Sequence, residues 1–135
     1  TDRASKYRNT PTERVTASGA VLRFDSQKEA RRYDHLTIRQ KAGEIHDLRL
    51  QVDFTLQEAF TDTNGKRVRA IRYKADFTYW ERDAEEESKA AAAGWPCDSW
   101  RYVVEDVKSK ATRTAKYAMK KKMLKDRFGQ DITEV

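Results

Sequence analysis

Cysteine is nearly absent from the chain, which has Cys97 as its single cysteine in 135 residues. One cysteine excludes an internal disulfide and favours a reducing compartment. Long apolar runs are lacking too, since no segment approaches the roughly 18 apolar residues of a membrane-spanning helix. The N-terminus also lacks the apolar stretch that is typical of a secretory signal. The sequence therefore predicts a cytoplasmic protein with no membrane partner.

Charge is abundant and unbalanced, with 28 Lys and Arg against 22 Asp and Glu, a net charge of +6 and a pI near 9.5. A surplus of this kind attracts phosphate backbones without regard to sequence. A basic surface that only confers solubility is the alternative interpretation. The hydrophobic content of 38% is enough for one modest core, so we expect one compact domain with a polyanionic partner.

The first 18 residues are polar and basic and show no apolar period. They contain Pro11 and several Ser, Thr and Asn residues, a composition typical of a flexible arm. We interpret residues 1–18 as this arm and residues 19–135 as the single domain. Lys6 and Arg8 are candidate contacts to a nucleic acid backbone.

Helix and strand signals follow in a clear order. Ser26 and Glu29 form a capping box that begins a helix, and Gly43 is its expected end. Apolar residues then alternate over 48–56 and again over 71–79, which predicts a hairpin of two half-buried strands. The strands flank a turn signal, Asn64-Gly65.

The second half of the chain supplies the remaining predicted elements. A third strand is predicted over 100–108, while residues 82–99 are interpreted as an inserted loop or a short helix. Thr114 caps a final helix that ends at Gly129, and a short strand over 132–135 closes the fold. The predicted order is helix, three strands, helix and strand, which is an α/β fold.

The final helix is strongly basic. Its basic residues are Lys116, Lys120, Lys121, Lys122, Lys125 and Arg127. Lys116, Lys120 and Lys121 are candidate contacts to phosphates, although a solvated lysine-rich face is nearly as good an account. Tyr117, Leu124 and Phe128 give the helix an inward face.

Strand alternation places Asp106 and Lys108 on one face of the third strand, and Asp76 lies on the neighbouring strand. Two carboxylates from adjacent strands can hold a divalent cation, which prefers oxygen ligands. A surface ion pair is the alternative, but an apolar strand interrupted by charges requires partners for those charges. If the register shifted by one residue, Glu105 would replace Asp106 in the site.

This set of residues suits phosphodiester hydrolysis. The reaction requires an activated water and positive charge beside the transition state, and a magnesium ion between carboxylates supplies much of both. Lys108 could stabilise the developing phosphate charge or, with a lowered pKa, help to deprotonate the water. The sequence does not choose between these roles.

Four segments of the chain resemble the PD-(D/E)xK nuclease superfamily, specifically the small phage-encoded endonuclease-like proteins of the DUF1064 type. The segments are Phe24-Asp25-Ser26 through Ala30 with Tyr33, Gly43-Glu44-Ile45 with Leu48, Gln51 and Phe54, Ala75-Asp76-Phe77, and Val104 through Lys108. The resemblance implies a restriction-endonuclease-like αβββαβ core, with a central mixed sheet flanked by helices. It also implies action in the cytoplasm of a phage host.

The resemblance assigns roles to particular residues. Asp76 would be the first acid of the motif, Asp106 the second and Lys108 the lysine, while Ala75 stands where the motif name has proline. Glu29 would be a further acid of the site, although its position in a capping box already gives it a local role. Gln51 could orient a ligand or a water, although a strand Gln is more often a solvated or core-edge residue. The implied cofactor is Mg²⁺, with Mn²⁺ expected to substitute for it.

The resulting prediction is a magnesium-dependent DNA endonuclease that acts on duplex or branched DNA, with the Holliday junction as one candidate substrate. Junction preference rests on analogy alone. One alternative is a nucleic-acid-binding protein that has the nuclease fold without turnover, and another is a nuclease that acts on RNA. A two-fold homodimer would suit two symmetric cuts.

Overall fold

The computed structural model describes residues 12–107 and 114–135. The chain consists of two compact units, residues 1–43 and residues 44–135. No helix in the described ranges is long and apolar enough to cross a membrane. The predicted contacts Lys6 and Arg8 lie outside the described residues.

A hairpin and a helix form the described part of the N-terminal unit. Strands β1 (Thr12–Val15) and β2 (Val21–Phe24) pair antiparallel, and helix α1 spans Gln27–Lys41. The Arg14 guanidinium donates to the Asp34 carboxylate of α1 over 2.9 to 3.1 Å. The helix begins after Ser26, as predicted, and Ser26 Oγ accepts from the backbone N–H of Glu29.

The boundary predicted for the N-terminal arm was wrong where the structure describes it. Residues 12–15, which were assigned to a flexible arm, form β1. The backbone turns at Gly19, whose φ of +88° suits glycine, and the return strand supplies the ladder partners. Half-buried and exposed residues alternate along β1, and neither face of the strand is apolar. Apolar periodicity therefore could not detect this strand.

A four-stranded mixed sheet is the centre of the C-terminal unit. Its strands and the two-residue strands between them are β3 (Ile45–Gln57), β4 (Phe60–Thr61), β5 (Arg67–Val68), β6 (Ile71–Arg82), β7 (Trp100–Asp106) and β8 (Ile132–Glu134). The sheet order is β3-β6-β7-β8, in which β7 and β8 are parallel and the other neighbours antiparallel. The predicted hairpin, third strand and closing strand are therefore present.

The described residues of this unit form two helices. Helix α2 (Ala84–Ala92) begins after Asp83, whose side chain accepts from Glu86 N, so the segment between β6 and β7 contains the helix that was one of its two predicted forms. Helix α3 (Ala115–Phe128) begins after Thr114, as predicted, and ends at Gly129, where φ is +67°.

The core joins α3 to the sheet. Its buried residues are Leu56, Tyr73, Ala75, Val104, Tyr117, Leu124 and Ile132. Of the three residues predicted on the inward face of α3, Tyr117 and Leu124 are buried, but Phe128 is 44% exposed. Phe128 lies at the last turn, where its ring packs edge-on against Phe54 at 5.6 Å, so it covers the core margin.

Candidate functional site

Asp76 lies where strands β6 and β7 stop pairing through their backbones. The ladder between them runs from Arg82 opposite Trp100 to Phe77 opposite Glu105. Beyond that pair, the Asp76 carboxylate takes the place of a backbone acceptor, since its Oδ2 accepts from Val107 N at 2.8 Å. This contact fixes the carboxylate beside the segment that follows Asp106.

Asp106 ends β7 and is buried, with 3% of its surface exposed. Its Oδ2 accepts a 2.6 Å hydrogen bond from the Tyr73 hydroxyl of β6. On the other side it lies opposite Glu134 in the parallel β8, and its carbonyl accepts from Val135 N at 3.1 Å. The second predicted acid is therefore held between two strands by both its side chain and its backbone.

Tyr73 connects the two carboxylates electrostatically. Burial raises the pKa of its hydroxyl well above the ordinary value, and the hydrogen bond to Asp106 and the negative charge of Asp106 raise it further. Smaller contributions in the same direction come from Tyr117 and from the charge of Asp76. Tyr73 therefore stays protonated as a donor, within electrostatic range of both predicted acids.

A second tyrosine extends this cluster toward α3. The ring centroids of Tyr73 and Tyr117 lie 6.5 Å apart. The Tyr117 hydroxyl donates to Glu134 Oε2 at 2.7 Å. Lys121 Nζ lies 3.6 Å from the same oxygen. The basic helix thus contacts the sheet beside the buried acids through Tyr117 and Lys121.

Glu105, the competitor of Asp106, occupies a different environment. It is fully buried opposite Phe77, and its Oε2 accepts from the Tyr79 hydroxyl at 2.6 Å. Each of the two adjacent acids therefore has its own tyrosine donor. The Val107 N–H that binds Asp76 directly follows Asp106 in the chain.

Gln51 approaches Asp76 from β3. Its Nε2 lies 3.4 Å from Asp76 Oδ1, so donors reach both oxygens of this carboxylate. Gln51 also has a positive φ of +52° although it lies inside a strand. Gln51 therefore contacts one of the predicted acids, and its role in a site stays a prediction.

The other predicted site residues are placed as follows. Lys108 lies outside the described residues. Glu29 belongs to the N-terminal unit, where it is buried on α1; its part in a site stays a prediction. On α3, Lys116 is exposed and Lys120 half-exposed, whereas Lys121 is engaged with Glu134.

The donor chemistry of Asp76 and Asp106 fits a hard divalent cation. A carboxylate offers about four acceptor positions, so a carboxylate that accepts hydrogen bonds retains capacity for a metal. Mg²⁺ usually binds one or two carboxylates and keeps several waters. Among the described residues, no three His, Cys, Asp or Glu side chains are grouped to hold a metal, so those residues form no closed metal cage.

Sequence reasoning missed the tyrosines and Glu134. Tyr73, Tyr79 and Tyr117 were interpreted through their apolar rings, although a buried tyrosine hydroxyl usually finds a partner. Tyrosine on a predicted inward face was therefore a usable signal for a buried acceptor. Glu134 carried no signal, because a single acid in a short closing strand has no characteristic spacing.

Comparison with known protein families finds a match to a family model. The profile of the family described as "Protein of unknown function (DUF1064)" matches residues 4–92, more than half of the chain. The matched range includes Asp76 and Gln51 and ends before β7, so Asp106 and Lys108 lie beyond it. No curated protein matches the chain, and no solved structure matches it.

Proposed function

The chain belongs to the DUF1064 family of proteins of unknown function, and we propose that it is a Mg²⁺-dependent DNA endonuclease of the PD-(D/E)xK type with a restriction-endonuclease-like core. The observation that carries the proposal is that the Asp76 carboxylate binds the backbone N–H of Val107, the residue directly after Asp106, at the end of the β6–β7 ladder. Val107 N donates to the Asp76 carboxylate, and the Tyr73 hydroxyl donates to the Asp106 carboxylate. Acids fixed in this way are preorganised as ligands.

Asp76 and Asp106 would hold the cation, which supplies a Lewis acid for the phosphate and a water of lowered pKa. Other residues of the chain would position these two carboxylates. Tyr73 keeps the Asp106 carboxylate in place, and Val107 N does the same for Asp76. Lys108, assigned from sequence, would place an ammonium group beside the scissile phosphate.

DNA is the proposed substrate because α3, which has six basic residues and one acid, contacts the sheet beside the proposed site. Lys116 and Lys120 have no acidic partner within the described part of the chain, so their charge is available to a phosphate backbone. Tyr117 of the same helix packs against Tyr73. A backbone bound along α3 would therefore pass close to Asp106.

Cleavage assays test the proposal. The protein is incubated with four-way junction, duplex and single-stranded DNA and with RNA, each with Mg²⁺, Mn²⁺ or EDTA. We expect metal-dependent cleavage of a DNA substrate, loss of cleavage in EDTA, and at least a hundredfold loss in Asp76→Asn and Asp106→Asn. Binding of both variants to DNA, measured in EDTA, should be largely retained.

The outcomes separate the alternatives. DNA binding without cleavage under any metal condition would favour a binding protein with the nuclease fold. Cleavage confined to RNA would move the substrate to RNA and keep the site. Cleavage that persists in EDTA or in Asp106→Asn would overturn the proposed site itself.

A further inference from the structure

Gln51 has a backbone conformation that its residue type disfavours. Its φ of +52° lies in the left-handed region, where a Cβ atom crowds the backbone. Glycine adopts this region freely, and Asn and Asp do so more easily than Gln. Asp47 is the other described non-glycine residue with positive φ, at +56°, and its residue type tolerates that conformation better.

The strained residue lies on β3, the strand next to the one that contains the candidate metal ligand Asp76. Its chain neighbours Leu50 and Val52 pair with Phe77 and Ala75, which leaves Gln51 facing Asp76 across the two strands. The Gln51 amide Nε2 lies 3.4 Å from Asp76 Oδ1. Strained backbone is retained where the surrounding structure enforces it, and such residues cluster at functional sites.

A neutral amide suits this position better than a charged group. Lysine there would compete with a cation for the carboxylate, and a second carboxylate would repel Asp76 in the absence of metal. An amide N–H donates to one oxygen of Asp76 while leaving its charge intact. Together with Val107 N on Oδ2, it limits rotation of the carboxylate about its side-chain bonds.

We propose that Gln51 is a positioning residue whose side-chain amide orients the Asp76 carboxylate for a divalent cation. The inference rests on the proposed function and assigns a specific part of it to the strained position in β3. Gln51 then has two separable effects. Its side chain acts on metal binding, and its backbone strain acts on stability.

Two substitutions separate these effects. Gln51→Ala removes the amide and keeps the strained backbone, whereas Gln51→Gly removes both. We expect both variants to bind Mn²⁺ about tenfold more weakly, the loss typical of a residue that orients a metal ligand, in titrations followed by electron paramagnetic resonance. Gln51→Gly should melt about 4 °C above Gln51→Ala, because glycine has no Cβ to strain.

Cleavage supplies a further readout that a purely structural defect would not give. Both variants should need about tenfold more Mg²⁺ for half-maximal cleavage and should regain near wild-type rates at saturating Mg²⁺. Asp47→Gly is the matched control, since it places glycine at a positive φ in the same strand. Its side chain contacts Arg49, and its Mn²⁺ affinity should remain that of the wild type.

The results discriminate between this inference and the function on which it rests. If the wild type binds Mn²⁺ and both Gln51 variants bind it equally well, the positioning role is overturned and the nuclease proposal stands. An equal loss of affinity in Asp47→Gly would also overturn it, because any distortion of β3 would then suffice. If the wild type binds no Mn²⁺, the proposed function fails and the inference falls with it.

Discussion

Two acids adjacent in sequence, Glu105 and Asp106, are both buried, and each accepts a 2.6 Å hydrogen bond from a tyrosine hydroxyl. Removing a carboxylate from water is costly unless hydrogen bonds compensate for the lost hydration. Tyr73 and Tyr79 supply part of that compensation from one strand, β6. The two pairs are alike in chemistry and burial, but only Asp106 belongs to the proposed site.

This likeness provides a matched pair of substitutions. Tyr73→Phe and Tyr79→Phe each remove one buried hydroxyl and leave a carboxylate with one donor fewer. Each should lower the free energy of unfolding by about 1–3 kcal/mol, measured by urea denaturation. Cleavage by folded protein should fall at least tenfold in Tyr73→Phe, because Asp106 loses a contact that orients it, and should change little in Tyr79→Phe.

Equal effects on cleavage would contradict this assignment. If both variants lose activity in proportion to their lost stability, the tyrosines act only on folding. If Tyr73→Phe is destabilised but fully active, the orientation of Asp106 does not depend on Tyr73.

Sequence reasoning could single out Asp76 and Asp106 as candidates because acids that interrupt apolar alternation are visible in the residue pattern. It could not identify their partners. The two-residue period of a strand predicts the face of the sheet on which a tyrosine side chain lies. It does not predict which group the tyrosine hydroxyl contacts. The positive φ of Gln51 was likewise invisible, because Gln carries no preference for that conformation and only the register between β3 and β6 reveals it.

At the scale of elements, local signals predicted helix ends and strand pairs well. Ser26 and Thr114 each accept a hydrogen bond from the backbone N–H three residues ahead, which is the cap that their residue type predicts. The β1–β2 hairpin was missed because its strands are only four residues long and half of their residues are exposed. Such strands depend on a turn and on cross-strand pairing, for which a four-residue segment gives little signal.

Helix α3 combines a buried face with lysines that are exposed or half-exposed. Lys116→Gln and Lys120→Gln together should weaken DNA binding at low salt about tenfold or more. They should also reduce the slope of log K against log salt by about 2, since each phosphate contact contributes about 0.9. Fluorescence anisotropy in EDTA measures binding without cleavage.

Lys89→Gln in α2 is the control for a simple loss of charge. Lys89 Nζ lies 3.4 Å from Glu86 and 3.6 Å from Glu85, so acids already offset its charge. Its substitution should leave the salt slope unchanged. A comparable loss of binding in Lys89→Gln would show that net charge, rather than the surface of α3, determines affinity.

Over the molecule as a whole, the net charge of +6 is unevenly divided between elements. Helix α2 has Glu85, Glu86 and Glu87 in its first turn, whereas the first turn of α3 contains no acid. A polyanion should therefore be repelled near α2 and attracted along α3. Composition predicts the attraction, the sequence assigns it to the final helix, and the structure adds that this helix contacts the sheet through Tyr117 and Lys121.

Metal binding should register in the stability of the whole molecule, because a ligand that binds only the folded state raises the melting temperature. At a Mn²⁺ concentration of about 100 times Kd, the stabilisation is about 2.7 kcal/mol, which corresponds to roughly 10 °C in a chain of this size. Calorimetry should show this rise in the wild type and its loss in Asp76→Asn and Asp106→Asn. Asp98→Asn removes the same charge from an exposed acid that contacts Arg82, so it should keep the full rise. If Asp98→Asn loses the rise as well, Mn²⁺ is responding to overall charge, and the paired acids of β6 and β7 are not its site.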